Sequence, residues 1–228
     1  MNLKSSFKFG VLMISLFFMT FMMVSLVSAA KSSKVAATQI EIILDASATM
    51  GDQMDSKTKM DAAKSTLVQI VDQLKSNKTV FVGLRIYGHT DESCENSVLE
   101  IPIQKTDADK IKKKILETNP NGLTPIAYSL LQSTNDFDPN VSGEKVVILV
   151  TDGVETCGGD PCSAAIALNK RGIKIHVVGL GMSDSDLNAL KCIITPSSGI
   201  IVGADNSQEL VSGMGKIIKK AIKAKASF

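Results

Sequence analysis

The stretch QIEIILDASAT, residues 39–49, joins a largely aliphatic run to an acid and two hydroxyl side chains. The run is typical of a buried strand, and Asp45 stands at its end. A second such segment, KVVILVTD at residues 145–152, also ends on an acid, Asp152. Strands that are covered on both faces of a parallel sheet show aliphatic runs of this kind. The two segments therefore predict the centre of a parallel sheet with two carboxylates at its carboxyl edge.

Strands and helices alternate along the rest of the chain. Further strands are predicted at 79–87, 96–103, 173–179 and 199–202, and helices at 57–74, 107–118, 125–135, 161–170, 184–194 and 208–224. The connection before the strand at 96–103 is too short for a crossover helix, so that strand should run antiparallel to its neighbour. We predict an α/β fold with a doubly wound, Rossmann-like sheet. It has six strands, mostly parallel with one antiparallel edge strand, and helices on both faces.

The first thirty residues differ in composition from the remainder. They contain Lys4 and Lys8 but no acid, an apolar stretch at 9–27, and a small-residue end, Ser28-Ala29-Ala30. This order is typical of a secretory signal peptide, and the apolar stretch is also long enough to act as an uncleaved membrane anchor. We therefore predict a signal peptide or anchor at 1–30, and one exported domain at 36–226.

Composition excludes several classes of protein. The chain has 25 Lys and Arg against 23 Asp and Glu, and only 4% of its residues are aromatic. Such a chain lacks the basic surface and the aromatic platforms that bind nucleic acid. Phosphate-binding loops and H-E-x-x-H patterns are absent, and GLGMSD at 179–184 lacks the third glycine of a dinucleotide-binding fingerprint. We expect no nucleic-acid partner and no enzymatic activity.

Oxygen-bearing side chains cluster at the predicted carboxyl edge of the sheet, where doubly wound folds bind their ligands. Asp45 and Asp152 end the two central strands, Ser47 and Thr49 follow the first, and Thr124 lies just before a predicted helix. Each of these residues alone could instead serve a turn or a helix cap. Hard divalent cations take oxygen ligands. Together the five residues predict a site for Mg²⁺, or for Mn²⁺ or Ca²⁺, with at least one coordination position open.

The same residues resemble the metal-ion-dependent adhesion site (MIDAS) of von Willebrand factor type A (VWA) domains, which is written D-x-S-x-S, then T, then D. The three parts here are DASAT at 45–49, Thr124, and TDG at 151–153, and the resemblance covers nearly all of residues 38–222. Thr49 stands where the family usually has Ser, and Ala48 where it usually has Gly. VGLR at 82–85 and ETCGGDPC at 155–162 resemble secreted bacterial members of the family.

The resemblance implies a binding module of the bacterial envelope, secreted, periplasmic or at the cell surface. In such a module Asp45, Ser47, Thr49 and Thr124 hold the cation directly or through water, and Asp152 acts mainly through water. An Asp or Glu carboxylate of a partner protein completes the shell. We expect a monomer that meets the membrane only if residues 1–30 are retained. The alternatives are a VWA-fold assembly or scaffold component with a structural metal and, less favoured, a hydrolase that uses the metal to activate water.

Four cysteines in an exported chain predict disulfides. A local bond between Cys157 and Cys162 and a longer one between Cys94 and Cys157 are both compatible with the predicted loops. Cys192 falls late in a predicted helix, where it is expected to be a buried free thiol.

Charged residues are also unevenly placed in the predicted fold. Seven acids lie in loops at the metal end, which would form an acidic rim: Asp52, Asp55, Asp91, Glu92, Glu95, Glu155 and Asp160. Five lysines make the last helix basic: Lys216, Lys219, Lys220, Lys223 and Lys225. Of the two histidines, His176 is predicted within a strand and His89 at the rim of the metal site.

Overall fold

The computed structural model describes residues 35–223. The predicted leader at 1–30 and the last residues of the predicted domain and final helix lie outside the described residues. Within 35–223, none of the helices combines the length and the apolar character needed to cross a membrane.

The described residues form one six-stranded sheet and its covering helices. The strands are β1 (Thr38–Asp45), β2 (Val80–Tyr87), β3 (Ser97–Lys105), β4 (Lys145–Thr151), β5 (Ile173–Leu180) and β6 (Ile201–Ala204). The helices are α1 (Lys59–Leu74), α2 (Ala108–Glu117), α3 (Ile126–Ser133), α4 (Pro161–Lys170), α5 (Asp184–Ala189), α6 (Lys191–Ile194) and α7 (Ser207–Lys223). Two-residue strands also pair, Val35–Ala36 with Val141–Ser142 and Gln53–Met54 with Lys57–Thr58.

The strand order is β6-β5-β4-β1-β2-β3, and β3 runs antiparallel to β2 while the other pairs are parallel. From β1 the chain builds the sheet outward through β2 and β3, and then crosses to β4 and builds outward on the other side. The strand order therefore reverses between β1 and β4, the two aliphatic segments that end on acids. The predicted fold class is confirmed.

Side chains of the central strands alternate between two apolar cores, one on each face of the sheet. In β1, Ile40, Ile42 and Leu44 face a core built with α1, α2 and α7, whereas Ile43 faces a core built with α3, α4 and α6. All four are fully buried, and each buried side chain of this size stabilises the fold by about 1.5–3 kcal/mol. Helices thus cover both faces of the central strands.

A buried charged group interrupts the second core. Arg85 of β2 donates from Nε to Glu41 Oε1 at 3.0 Å and forms an ion pair with Asp136. Burial, and then the nearby charge of Asp136, raise the pKa of Glu41 well above its ordinary value. The arginine of the VGLR segment therefore joins β1, β2 and the chain after α3.

The prediction of one helix at 184–194 is wrong, because the chain turns at Leu190 between α5 and α6. Leu190 and Ile193 are buried, whereas α5 contains no buried residue. The helix α5 therefore lies at the surface, and the buried side chains of this segment follow it in the chain.

The cysteines pair as Cys94–Cys157 and Cys162–Cys192, and none is free. The longer of the two predicted alternatives therefore forms, and the local bond between Cys157 and Cys162 does not. The prediction of a free thiol at Cys192 is wrong. Packing of α4 against α6 brings Cys162 and Cys192 to a Cα–Cα distance of 5.2 Å, a contact that sequence separation does not indicate.

Candidate metal site at the carboxyl edge of the sheet

Asp45 is fully buried at the end of β1, and protein groups hold both of its carboxylate oxygens. Oδ1 accepts a hydrogen bond from the backbone N–H of Ser47 at 2.7 Å, and Oδ2 accepts one from the Thr151 hydroxyl at 2.6 Å. The Tyr87 hydroxyl donates in turn to Thr151 Oγ1 at 3.1 Å. Burial, and then the charge of Asp152, raise the pKa of Asp45. The carboxylate is therefore fixed in position but held at an electrostatic cost.

Hydroxyl groups connect this loop to Asp152 at the end of β4. Ser47 Oγ lies 3.3 Å from Thr49 Oγ1, and the Thr49 hydroxyl donates to Asp152 Oδ1 at 3.0 Å. Ser47 and Asp152 are buried, whereas Thr49 is exposed. The cluster is therefore reached from solvent on the side of Thr49.

The loop that contains Thr124 packs backbone to backbone against these two loops. Gly122 forms a parallel bridge with Ser47 and donates its N–H to the carbonyl of Gly88 at 2.7 Å. Gly88 has φ +69°, and a Cβ there would lie 2.6 Å from the Leu123 carbonyl oxygen and 2.8 Å from the Ser47 nitrogen. Only glycine satisfies both the backbone angle and the space between the loops.

Thr124 itself is buried, and the chain after β4 holds its backbone. Its N–H donates to Thr156 Oγ1 at 2.9 Å, and its carbonyl accepts from the Thr156 N–H at 3.2 Å. Among the described residues, the Thr124 hydroxyl makes no hydrogen bond to Asp45, Ser47, Thr49 or Asp152. The structure thus joins those four in one contact network and brings Thr124 beside it through the backbone of its loop.

The donor set fits a hard divalent cation. Two buried carboxylates and several hydroxyl oxygens are the ligand types that Mg²⁺, Mn²⁺ and Ca²⁺ accept. Residues 35–223 contain no group of three or more His, Cys, Asp or Glu side chains arranged to hold a metal. A cation held here would therefore take hydroxyl ligands and complete its shell with water or an oxygen from another molecule.

Three residues of this network were not predicted from sequence. Thr151 and Tyr87 support the Asp45 carboxylate, and the Lys59 ammonium lies 2.8 Å from Asp152 Oδ2. Thr151 directly precedes Asp152, so its place at the strand end was available as a signal. The contact of Lys59 spans 93 residues and has no local signature.

Two of the acids assigned to the rim serve helix starts instead. Glu155 accepts from the backbone N–H of Ala127 in α3 and of Cys157, each at 2.7 Å. Asp160 is the N-cap of α4 and accepts from the N–H of Cys162 at 2.9 Å. These two acids therefore have a structural role in addition to their negative charge.

Among the described residues, no hydrogen bond joins either histidine to Asp45, Ser47, Thr49 or Asp152. His89 Nε2 is 2.8 Å from Glu100 Oε1 of β3. His176 is buried in β5, as predicted, and its Nδ1 accepts the N–H of Ile200 at 3.0 Å. Burial, together with nearby lysine ammonium groups, lowers the pKa of His176 to about 4.

Comparison with known proteins identifies the family of this chain. The family model of the von Willebrand factor type A domain matches residues 39–214. The protein YwmC of Bacillus subtilis (strain 168) is 28% identical over 200 residues, which cover 81% of this chain and 87% of YwmC.

Two solved structures share the fold. The pilus adhesin SpaC from Lactobacillus rhamnosus GG superposes with a TM-score of 0.70 at 15% identity, over 83% of this chain and 31% of SpaC. Proximal thread matrix protein 1 from the mussel byssus, with a zinc-occupied MIDAS motif, has a TM-score of 0.62 at 22% identity, over 81% of this chain and 48% of that chain. Because the family match spans well over half of its residues, this chain belongs to the von Willebrand factor type A domain family.

Proposed function

We propose that this protein is an exported, metal-dependent protein-binding module. Asp45, Ser47, Thr49 and Thr124 would hold Mg²⁺, or Mn²⁺ or Ca²⁺, directly or through water, and Asp152 would act mainly through water. A partner's Asp or Glu carboxylate would complete the shell. The module binds as a monomer and catalyses no reaction.

The burial of two carboxylates beside one ammonium supports this proposal most strongly. Asp45 and the Asp152 side chain are fully buried, and the Lys59 ammonium contacts the second of them, Asp152. One negative charge therefore stays uncompensated in a buried site of low dielectric constant. Burial of an unpaired ion costs several kcal/mol. A divalent cation would offset that charge.

The route to solvent at Thr49 favours a binding role for the cation over a purely structural one. A structural cation is normally enclosed by protein ligands, whereas this protein offers two carboxylates and hydroxyls on a side that solvent reaches. Of the similar structures, one is a pilus adhesin and one has a zinc-occupied MIDAS motif. Their shared fold makes protein capture through a MIDAS cation a consistent function for this chain.

Export is consistent with the cysteines. All four form disulfides, and such bonds persist in oxidising compartments outside the cytoplasm. The proposed location is the bacterial envelope or cell surface, and contact with the membrane depends on residues 1–30.

The test is capture of partners from envelope extract by the immobilised protein, with Mg²⁺ and with chelator. The Asp45→Asn variant and the exposed Asp109→Asn variant are run in parallel. We expect a captured protein that is lost with chelator and with Asp45→Asn but kept with Asp109→Asn. Equal recovery in all lanes would reject metal-dependent capture and favour the scaffold alternative.

A further inference from the structure

Lys59 places a fixed positive charge inside the candidate metal site. Its ammonium lies 2.8 Å from Asp152 Oδ2 and 3.9 Å from Asp52 Oδ2. The Asp152 side chain is fully buried and that of Lys59 is 13% exposed, whereas that of Asp52 is 66% exposed. The ion pair with Asp152 is therefore the interaction that places the ammonium.

The fold accommodates Lys59 at a position that ordinarily disfavours a cation. Lys59 is the first residue of α1, where the helix dipole opposes positive charge. Its N–H donates to the Asp52 carbonyl at 2.9 Å. Gly181, with φ +58°, leaves room for the lysine stem, since a Cβ there would lie 3.3 Å from Lys59 Cε. The unfavourable placement is offset by the contact with Asp152.

The charge of Lys59 has opposite effects on the binding of a cation and on the later binding of an anion. Asp45, Asp152 and Lys59 together carry a net charge of about −1 when both acids are ionised, against about −2 without the lysine. Lys59 therefore weakens the attraction of the site for a cation. Once a divalent cation is bound, however, the site is net positive with Lys59 and neutral without it. The lysine therefore strengthens the attraction for an incoming anion.

We propose that Lys59 is a specificity-determining residue that lowers metal affinity and directs the metal-loaded site toward carboxylate ligands. This inference rests on the proposed function, because it concerns the same site. It goes further in naming the residue that makes the loaded site select an anionic group. An uncharged oxygen donor, such as a serine or an amide of a partner, gains less from the net positive charge than a carboxylate does.

The experiment uses the full chain and two probes, Mn²⁺ and acetate. Mn²⁺ affinity is measured by titration calorimetry, and acetate binding by the broadening of its NMR signal next to bound Mn²⁺. The variants are Lys59→Met, which removes the charge, and Lys59→Arg, which keeps it. Lys57→Met is the matched control two residues away. Urea unfolding of each variant establishes that it is folded.

We expect Lys59→Met to bind Mn²⁺ about tenfold more tightly or better, the scale of one unit charge near a dication in a partly buried site. Its Mn²⁺ complex should bind acetate several-fold more weakly, while Lys59→Arg and Lys57→Met behave like the wild type. Equal Mn²⁺ affinity in the wild type and Lys59→Met would overturn the role of Lys59 alone. Absence of Mn²⁺ binding in every protein would overturn the proposed function and the inference with it.

Discussion

Replacement of Asp45 by Asn should stabilise the metal-free protein, although Asp45 lies at the centre of the site. The amide oxygen can keep the hydrogen bond from the Ser47 N–H, and the amide nitrogen can donate to Thr151 Oγ1. The Thr151 hydroxyl can then donate to the Gly153 carbonyl, which lies 3.2 Å away. Every polar atom keeps a partner, so the main change is the loss of one buried charge.

Two effects of opposite sign determine the magnitude. A buried ion costs several kcal/mol, and the two hydrogen bonds to the Asp45 carboxylate return about 1.5 kcal/mol each. We expect Asp45→Asn to raise the free energy of unfolding by about 1–2 kcal/mol in chelator. The direction agrees with the raised pKa of Asp45, since such a group destabilises the native state at pH values above that pKa.

Divalent cation should reverse the order of the two proteins. At a Mg²⁺ concentration one hundred times its dissociation constant, the wild type gains about 2.7 kcal/mol, while a variant that does not bind gains nothing. Urea unfolding at pH 7.5, with chelator and with Mg²⁺, measures both differences, and Asp109→Asn serves as the exposed control. A variant several kcal/mol less stable than the wild type in chelator would refute the charge argument and assign Asp45 a hydrogen-bonding role alone.

Three further predictions concern the surroundings of the site. Between pH 7.5 and pH 5 the free energy of unfolding of the wild type should fall by about 2 kcal/mol because of His176. The folded pKa of His176, about 4, lies below the unfolded value, so acid favours the unfolded chain. The same loss in urea unfolding of His176→Gln would contradict this. Gly88→Ala should lower the free energy of unfolding by at least about 2 kcal/mol through backbone strain and steric overlap, and it should weaken Mn²⁺ binding in calorimetry. Gly51→Ala is the control and should have neither effect, because a methyl group there meets nothing within 4 Å. Similar behaviour of the two variants would refute the close approach of the loops. Joint replacement of Cys94 and Cys157 by Ala removes a bond between residues 63 positions apart. The free energy of unfolding should fall by about 4 kcal/mol, because the unfolded chain gains entropy. A change below about 1 kcal/mol in urea unfolding would show that this bond does not restrain the unfolded chain.

The parts of the fold that sequence predicts are those with a local or periodic cause. The aliphatic runs that end at Asp45 and Asp152 identify the two central strands, because buried parallel strands need apolar side chains on both faces. The short connection before Ser97 identifies the antiparallel edge for a geometric reason. The same strand ends place Asp45, Ser47, Thr49 and Asp152 together, since the carboxyl ends of β1 and β4 are neighbours.

The features that sequence does not predict depend on packing between distant segments. Cys162 meets Cys192 only because α4 packs on α6. Lys59 belongs to a helix whose apolar pattern concerns the core, so nothing in that pattern indicates a contact with Asp152. Side-chain contacts across loops require the three-dimensional arrangement that local patterns leave open.

The proposed function depends on one divalent cation, bound by Asp45, Ser47, Thr49, Thr124 and Asp152. Its most direct test is a titration of the purified protein with Mn²⁺, followed by the loss of the free-ion EPR signal. We expect the wild type to bind one Mn²⁺ per chain, Mg²⁺ to compete for the same position, and Asp45→Asn to bind none at the same concentrations. A wild type that leaves all Mn²⁺ free, or an Asp45→Asn variant that binds it equally well, would rule out this metal site.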